Sequence, residues 1–257
     1  MNIIKKLNRN KFLFKQLVHR DFTKKYKRTI LGIAWSVLSP LLTLLVMNII
    51  FGTLLGSSIE HYTIYLFSGQ LVFSFFNDST NEGMTSLLNN AEIFTKVNVP
   101  KYLFLFSKNI SSLINFAITL VIYFLFVVVH GIAITWKFIF LVYPVACLVI
   151  FNLGMGLILS ALYVFFRDIQ YLYSIFTLLL MYMSAIFYSI DTFPQLGKNL
   201  FLLNPIYVYI RYFRKIVLED TIPTPQFHFI ALGYAVLAFG IGSWIYKKKN
   251  HSFLYYV

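Results

Sequence analysis

The stretch RDFTKKYKRTILGIAWSVLSPLL, residues 20–42, joins a dense cluster of positive charge directly to an apolar segment. Five of its first nine residues are Lys or Arg, and no charged residue follows Arg28 within it. Lys and Arg collect on the cytoplasmic side of membrane proteins, and an apolar run of about 20 residues can cross a bilayer as a helix. The stretch therefore predicts a basic segment at the inner membrane surface that leads at once into a first membrane span.

The composition of the whole chain indicates a membrane protein. Of its 257 residues, 59% are hydrophobic and 12% are charged, and the mean hydropathy is +0.73. A soluble domain usually has about a quarter of its residues charged, so this chain has too little charge for a water-exposed surface. The net charge of +13 flanks apolar blocks instead of lining a groove, which argues against a nucleic-acid-binding protein. The single Cys147 is interpreted as a small buried side chain.

Six apolar blocks are candidates for transmembrane helices. The second is the weakest, because it carries Ser68, Gly69, Gln70, Ser74 and Asn77. The predicted spans cover residues 30–56, 62–80, 110–129, 138–166, 171–190 and 227–246. The predicted fold class is therefore an all-α integral membrane protein with six transmembrane helices.

The distribution of charge sets the expected orientation of these spans. Residues 1–28 contain ten Lys or Arg and one acid, and residues 247–249 are three lysines. Both ends are therefore predicted to be cytoplasmic, which requires an even number of spans and favours six over five. The predicted outer loop 57–61 has no Lys or Arg, whereas the predicted inner segment 81–109 has three.

The first 28 residues predict an amphipathic helix that lies in the inner membrane interface. Apolar residues recur near one face, and Lys and Arg occupy the remainder. The predicted apolar face consists of Ile3, Leu7, Phe14, Val18 and Phe22. Because the basic region and the apolar block after it are both too long for a cleaved signal peptide, we expect a retained signal anchor.

The predicted outer segment 191–226 is too apolar to be a solvated loop. Apolar side chains recur at near-helical spacing, and Asn204-Pro205 interrupts the pattern. The segment predicts two short amphipathic helices that lie at the outer face or dip into it. Its cations are Lys198, Arg211, Arg214 and Lys215. They are expected to attract either an anionic polymer or lipid headgroups.

The sequence contains few of the residues that an enzyme or a proton-coupled carrier would need. Its five His are scattered singly, and the whole chain has nine acids. A membrane enzyme needs acids, bases or metal ligands that converge on one face, and a proton relay usually needs carboxylates inside the spans. No G-x-x-x-x-G-K-[ST] loop is present, so no nucleotide is expected to bind by that device. Gly154 and Gly156, and the pair Ala238 and Gly242, are interpreted as sites of close helix packing.

Several motifs occur in a fixed order along the chain. The opening stretch contains Arg20-Asp21, Tyr26-Lys27, Leu31-Gly32, Trp35, Leu38 and Pro40. Later segments are residues 68–83, 89–102 and 156–169, then Phe187-Tyr188 and Asn204-Pro205. In these motifs the chain resembles ABC-2 type permeases that export cell-surface polysaccharides, which include O-antigen, capsule and teichoic-acid exporters. It departs from them at Ser184 to Tyr188, where many relatives carry a Pro before Ile-Phe-Tyr.

The resemblance implies a homodimer of six-span subunits in the bacterial cytoplasmic (inner) membrane. Each subunit would dock a separate ATPase subunit, and ATP hydrolysis there would drive a lipid-linked glycan across the membrane. The chain itself is then expected to be neither an enzyme nor the holder of a cofactor, because ATP and Mg would be bound by the partner.

The resemblance also implies a cytoplasmic contact with the ATPase. Segment 81–101 is the largest predicted inner loop after the N-terminus, and Asn89–Phe94 predicts a short helix that ends before Pro100. We expect this to be the coupling helix and the Arg167-Asp168 turn to be a second contact. The predicted contact residues are Asn90, Glu92, Ile93, Phe94, Lys96, Arg167 and Asp168. The alternatives are an ordinary solvated loop and a charged turn that only anchors two helices.

The path of the glycan is expected along the first and fifth spans, which line it in the family. Aromatic rings stack on the C–H faces of sugars, and hydroxyl groups bond their polar edges. The predicted lining residues are Trp35, Ser36, Ser39, Thr43, Tyr173, Phe176, Tyr182 and Tyr188. The predicted residues of the outer gate are Asn204, Pro205, Arg211 and Arg214. The alternative for the aromatic residues is simple enrichment at the bilayer interfaces.

The basic residues of the opening stretch have two interpretations. They lie where the diphosphate of a lipid-linked substrate would enter, but plain anchoring at anionic headgroups explains them as well. The predicted entry residues are Arg20, Lys24, Lys25, Lys27 and Arg28.

Other functions remain open at this point. An ABC-2 exporter of a drug or an ion would share the topology. A membrane-embedded transferase or phosphatase would need a catalytic cluster of acids or His, and none is visible.

Overall fold

The computed structural model describes residues 10–27, 29–56, 59–97, 99–250, 252–254 and 256, and these residues form helices and turns without a β-strand. The α-helices among them are α1 Lys11–Tyr26, α2 Trp35–Leu55, α3 Tyr62–Thr85, α4 Ala91–Lys96, α5 Tyr102–Val129, α6 Val142–Phe165, α7 Ile169–Met183, α8 Gln195–Phe201, α9 Pro205–Val217 and α10 Pro225–Lys249. Short 3₁₀ turns occupy Gly32–Ala34, Leu88–Asn90, Trp136–Leu141 and Ser252–Leu254. The predicted all-α class is confirmed for this part of the chain.

Four helical segments in the described ranges are long and apolar enough to cross a membrane. They are Gly32–Leu55, Tyr102–Val129, Trp136–Phe165 and Pro225–Lys249. These segments correspond to the predicted first, third, fourth and sixth spans. The third starts eight residues before the predicted residue 110. The reason is that Lys108, which the sequence suggested for a solvated loop, lies in α5 within 3.6 Å of the Asp21 carboxylate of α1 and 3.8 Å of Glu82.

The second predicted span is the polar helix α3. It runs to Thr85, beyond the predicted end at residue 80, and most of its length is buried. Helices α2, α5, α6 and α9 contact it, and among its polar side chains Ser68, Gln70, Ser79 and Thr80 are buried against protein. A polar helix is tolerated at membrane depth when its neighbours supply hydrogen-bond partners. For example, Asn109 of α5 donates to the Ser79 hydroxyl at 2.6 Å.

The fifth predicted span is interrupted. Helix α7 has 15 residues and ends at Met183, whereas the prediction extended to residue 190. At about 1.5 Å per residue it reaches roughly 22 Å, which is less than the ~30 Å of a hydrocarbon core. The backbone turns at Ala185, which has a left-handed φ of 50°. The apolar residues that follow, including Ile186 and Phe187, are buried by tertiary contacts instead of continuing the helix.

Two short helices, α8 and α9, lie within residues 191–226. The Asn204 side chain caps α9, because its carbonyl oxygen accepts from the backbone N–H groups of Ile206 at 2.9 Å and Tyr207 at 3.4 Å. Pro205 takes the first helical position, where its missing N–H costs nothing. Helix α9 is not a surface helix, however, because all its residues after Pro205 except Arg211 and Lys215 are buried.

Helix α1 turns a different face inward from the one predicted. Leu17 and Asp21 are buried, whereas Phe14, Val18 and Phe22 are only half-buried. The predicted positions Ile3 and Leu7 lie outside the described residues. The buried Asp21 carboxylate, which has partners on α5, sets the inward face of α1. Apolar periodicity in the sequence does not reveal such a polar contact.

The helices pack around two apolar clusters. The larger one surrounds α3, and the smaller one joins α1, α4, the start of α5 and the C-terminal turn. Leu17, Phe94, Phe104, Tyr246 and Phe253 belong to the smaller cluster. The ends of the chain that the structure describes therefore meet at one end of the bundle, next to α4.

Candidate functional site

A cavity of about 370 Å³ lies between α2, α3 and α5, with polar side chains on a wall that is otherwise apolar; it is called the polar cavity below. Trp35, Ser36, Ser39 and Thr43 all line it, so half of the predicted path residues come together in one place. The other polar side chains of its wall are Lys25, Thr29, Gln70, Ser74, Asp78, Ser112, Asn115 and Thr119. The predicted lining residues of the fifth span do not contribute to it.

Those aromatic residues of α7 and the turn after it have different surroundings. Tyr173 is buried, and its hydroxyl donates to the Thr80 hydroxyl at 2.6 Å, so this predicted lining residue is instead part of the core. Phe176 and Tyr182 are exposed on α7. Tyr188 lies in the turn after the C-terminal end of α7. Its hydroxyl donates to the Tyr182 carbonyl at 2.9 Å.

Several of the predicted entry residues are engaged in ion pairs. Arg20 donates to the Asp21 carboxylate and to the Asn90 side-chain oxygen, both at 2.8 Å. Lys25 donates to Asp78 at 2.8 Å and lies 3.8 Å from Glu82. These acids compensate the two cations, so neither offers a free positive charge to a diphosphate. Lys24 and Lys27 are exposed, and Arg28 lies outside the described residues.

The buried end of this network connects α1 to the bundle. Asp21 is only 4% exposed. Its carboxylate also accepts a hydrogen bond from the Ser107 hydroxyl at 2.8 Å. A buried carboxylate is stable only when hydrogen bonds or cations surround it. Lys108 supplies a second cation at 3.6 Å. Helix α1 is thus fastened to α5 by charge as well as by Leu17.

The segment predicted to be the coupling helix contains the short helix α4, and two of its predicted contact residues point inward. Asn90 is buried and donates to the Ser86 carbonyl at 2.8 Å, and Phe94 packs on Phe104 with ring centroids 6.1 Å apart. Their predicted exposure to a partner is therefore corrected. Glu92 and Lys96 are exposed and Ile93 is half-buried. The surface of α4 that a partner could meet consists of these three residues together with the exposed Thr95, and the exposed Val97 follows the helix.

A lysine that sequence reasoning did not single out holds α4 in place. The Lys101 ammonium lies 5.6 Å from the ring centroids of both Phe94 and Phe253, and it donates to the Asn250 carbonyl. Burial lowers the pKa of this ammonium. The contact links α4 to the C-terminal turn. No local pattern in the sequence reveals this contact.

The Arg167-Asp168 turn between α6 and α7, predicted as a second contact with the ATPase, is exposed. The Arg167 guanidinium lies 5.7 Å from the Tyr163 ring. Phe166, beside them, is 64% exposed. This turn belongs to the same end of the bundle as α4, because Phe165 packs on Phe253 of the smaller cluster.

On the other side of the bundle Arg214 is buried instead of facing outward. Its guanidinium donates to the carbonyls of Ala185 at 2.8 Å and of Tyr65 and Ile186 at 3.1 Å. It also contacts the Ser68 hydroxyl at 3.3 Å and lies 3.4 Å from the Tyr65 ring centroid. Arg214 therefore joins α9 to α3 and to the turn that ends α7. Its predicted role as a gate cation that meets a polymer is corrected by this burial.

Two of the remaining predicted outer cations have different surroundings. Arg211 pairs with Glu219, and the Lys215 ammonium lies 5.6 Å from the Phe227 ring. A cavity of about 430 Å³ beside them contains both signs of charge. Its charged residues are Glu60, Asp191, Arg211, Arg214 and Glu219. This mixture does not form the strongly positive surface that would select an anionic polymer.

Metal chemistry finds no support in the part of the chain that the structure describes. Within those ranges no group of three or more His, Cys, Asp or Glu is placed to hold a metal ion.

Comparisons with known proteins agree with the architecture. The family model described as ABC-2 type transporter matches residues 12–218. The O-antigen export system permease protein RfbA of Klebsiella pneumoniae is 27% identical over 248 residues, which are 94% of this chain and 95% of that protein. The RfbA protein of Myxococcus xanthus is 24% identical over 98% of each chain. The capsule polysaccharide export inner-membrane protein CtrC of Neisseria meningitidis is 21% identical over 81% of this chain and 80% of that protein.

These matches confirm the resemblance that residues 20–42 and the later motifs suggested. The family match extends from α1 to the end of α9 and so includes the polar cavity, α4 and the Arg214 contacts. The chain belongs to the ABC-2 type transporter family.

Proposed function

We propose that this chain is the permease subunit of an ABC transporter that exports a lipid-linked cell-surface polysaccharide. The observation that carries the proposal is its likeness, over nearly the whole length, to O-antigen export permeases. The sequence has no nucleotide-binding loop, so the proposal assigns ATP and Mg to a separate ATPase chain. An ABC-2 exporter of a drug or an ion would share the family and the helices, but no observation on this chain favours that alternative.

The proposal includes six spans with both ends in the cytoplasm. The four long apolar helices, the buried helix α3, and α7 with the turn after it would form them. An even number of spans agrees with the meeting of α1, α4 and the C-terminal turn at one end of the bundle. A second copy of the chain would cover part of α2, of which only 6% is buried.

Co-purification with an ATPase chain is the first experiment for this proposal. We expect the chain, purified from native membranes in a mild detergent, to carry a stoichiometric partner with a nucleotide-binding loop, identified by mass spectrometry. Deletion of the chain should remove the surface polysaccharide and leave its lipid-linked form inside the cell. A chain that stays alone in several mild detergents, together with unchanged surface polysaccharide in the deletion strain, would contradict the proposal.

Charge reversal on α4 tests where the ATPase docks. We expect Glu92→Lys with Lys96→Glu to lower the recovered ATPase about tenfold, which corresponds to ~1.4 kcal/mol of binding free energy. Both side chains are exposed, so the elution profile of the permease should not change. Lys198→Glu on α8 is the matched control, because it alters charge at the other end of the bundle. An equal loss of ATPase in the control, or none in the α4 variant, would remove α4 from the interface.

A further inference from the structure

Helix α4 is too short to be stable by itself. It has six residues, and the Asn90 side chain at its N-cap makes no capping hydrogen bond. Isolated helices of fewer than about 12–15 residues are marginal in water, because the first turn fixes several residues for a single hydrogen bond. Contacts with distant parts of the chain must therefore determine where α4 lies.

One attachment joins the start of α4 to helix α1. The Arg20 guanidinium donates to the Asn90 side-chain oxygen at 2.8 Å, and the Asn90 amide donates to the Ser86 carbonyl, also at 2.8 Å. Arg20 is paired with the buried Asp21, whose carboxylate accepts from Ser107 of α5. The start of α4 therefore belongs to the polar network that fastens α1 to α5.

A second attachment joins the end of α4 to the C-terminal turn Ser252–Leu254. The Lys101 ammonium lies 5.6 Å from the ring centroids of both Phe94 and Phe253, and it donates to the Asn250 carbonyl. A cation within about 6 Å of an aromatic ring is attracted to its face, and more strongly when water is excluded. Lys101 is 8% exposed and Phe253 is 0% exposed, so water has little access. One ammonium thus holds a ring of α4 and a ring of the turn together.

The C-terminal turn is itself fixed to two long helices. Phe253 packs on Tyr246 of α10 with ring centroids 5.1 Å apart, and on Phe165 at the end of α6 at 5.9 Å. Tyr246 is buried, and α6 and α10 form an extensive contact with each other. The turn therefore connects a short helix with an exposed side to two helices that run through the bundle.

We propose that Phe94, Lys101, Asn250 and Phe253 form a clasp that positions α4 for a partner on its exposed side. When a docked partner displaces α4, the clasp transmits the displacement to α6 and α10. Lys101 and Phe253 are then positioning residues, because they contact neither the partner nor the cargo and act through α4. The partner is the ATPase chain, so this step rests on the proposed function.

Half of the clasp lies beyond the segment by which the family was identified. The family match ends at residue 218, whereas Asn250 and Phe253 follow α10. The exposed residues of α4, which include Glu92, Thr95 and Lys96, are outside the clasp. A change in the clasp can therefore be separated from a change in the docking surface.

The first test needs no ATPase. Exchange of backbone amide hydrogens is followed by mass spectrometry in the full chain in phosphatidylcholine nanodiscs. We expect Phe253→Ala to speed exchange in residues 91–97 about tenfold, because α4 opens more often without the clasp, and to leave the middle of α5 unchanged. Wild-type exchange in residues 91–97 would show that α4 does not depend on the clasp and would overturn the proposal.

Lys101→Met tests the clasp without opening a large cavity. Met keeps much of the apolar stem of Lys but has no charge and no donor for the Asn250 carbonyl, so exchange in residues 91–97 should rise here as well. Lys101→Arg should restore most of the protection, since a guanidinium also donates and binds aromatic faces.

Lys249→Met is the matched control on α10. The Lys249 ammonium also lies 5.6 Å from an aromatic ring, that of Phe165, but this lysine is exposed at the end of α10. We expect its loss to leave exchange in residues 91–97 unchanged. Equal effects of Lys249→Met and Lys101→Met would contradict the specific role of Lys101.

The second test measures coupling at equal amounts of permease in the membrane. We expect Lys101→Met to leave the co-purified ATPase unchanged, because the exposed residues of α4 are intact and the helix is still folded most of the time. Polysaccharide exported per ATP hydrolysed should fall about tenfold, because α4 has lost its attachment to α6 and α10. A clasp that only stabilised the fold would lower the amount of permease and not this ratio. A wild-type ratio would overturn the coupling step.

The two tests distinguish failure of the clasp from failure of the proposed function. If no ATPase co-purifies and deletion of the chain leaves the surface polysaccharide unchanged, the proposed function is wrong, and the exchange experiment still decides whether the clasp holds α4. If the ATPase co-purifies and Lys101→Met exports with the wild-type ratio, the proposed function stands and the clasp is refuted.

Discussion

Replacement of Gly154 by Ala is expected to prevent α6 and α10 from packing and to remove most folded protein from the membrane. A Cβ atom on Gly154 would lie 2.3 Å from the backbone nitrogen of Phe239 and 2.4 Å from the carbonyl carbon of Ala238. Both are backbone atoms, so no side-chain rotation can relieve the clash. The two helices form an extensive contact, and they would have to separate along it. Overpacking usually costs about 1–3 kcal/mol, and we expect this backbone clash to reach or exceed the upper end.

The measurement is the yield of monodisperse protein in detergent and its melting temperature. Gly242→Ala should behave alike, because its Cβ would lie 2.5 Å from the Gly154 carbonyl oxygen. Gly240→Ala is the matched control on α10, since no atom lies within 4 Å of the added methyl group. That change should stabilise the helix by up to about 1 kcal/mol through helix propensity alone. Wild-type yield and melting temperature for Gly154→Ala would mean that the helices do not cross this closely.

Substitution of Arg214 by Met is expected to destabilise the packing of α9 against α3 by on the order of 3–5 kcal/mol. The Met side chain keeps much of the length of Arg but donates nothing to the carbonyls of Tyr65, Ala185 and Ile186. These acceptors are buried, so their desolvation would no longer be compensated. For a chain of this size we expect the melting temperature to fall by roughly 10 °C. The turn at residues 184–186 would lose its attachment to α3 and become more sensitive to proteases.

Arg211→Met is the matched control, because it removes the same charge one helical turn earlier. Arg211 is partly exposed and pairs with Glu219 at the surface, so its loss should change the melting temperature little. Arg214→Lys should recover only part of the stability, since an ammonium cannot reproduce the planar set of donors. Equal effects of Arg211→Met and Arg214→Met would show that net charge, and not the buried hydrogen bonds, stabilises this region.

Local sequence patterns were sufficient to predict the helices whose surroundings are simple. Long apolar runs predicted α2, α5, α6 and α10, because a lipid-facing or core-facing helix needs only length and apolarity. The Asn204-Pro205 pair predicted the start of α9, because an N-cap and a first-turn proline act within a few residues. Small residues predicted close helix contact, and Gly154 and Gly242 make it. The basic stretch before α2 suggested the family.

Elements that depend on distant partners were beyond such patterns. The apolar run 171–190 suggested one helix, but the chain turns at Ala185 because Arg214, far along the sequence, binds its carbonyl. Tyr173 looked like a lining residue, yet Thr80 holds its hydroxyl inside the core. Asn90 and Phe94 were predicted to contact a partner. Instead, Arg20 donates to the Asn90 side chain, and Phe104 packs on Phe94.

By itself, therefore, the sequence determined the helical membrane class, the positions of the apolar helices and the motifs of the ABC-2 family. The tertiary structure alone decided which polar residues are compensated and which are left open. Hydropathy is a property of each residue and its near neighbours, whereas a hydrogen bond or an ion pair depends on which helices come to lie side by side. The polar side chains of α2, α3 and α5 are visible in the sequence only as scattered Ser, Thr, Asn and Gln, and packing brings them together around one cavity.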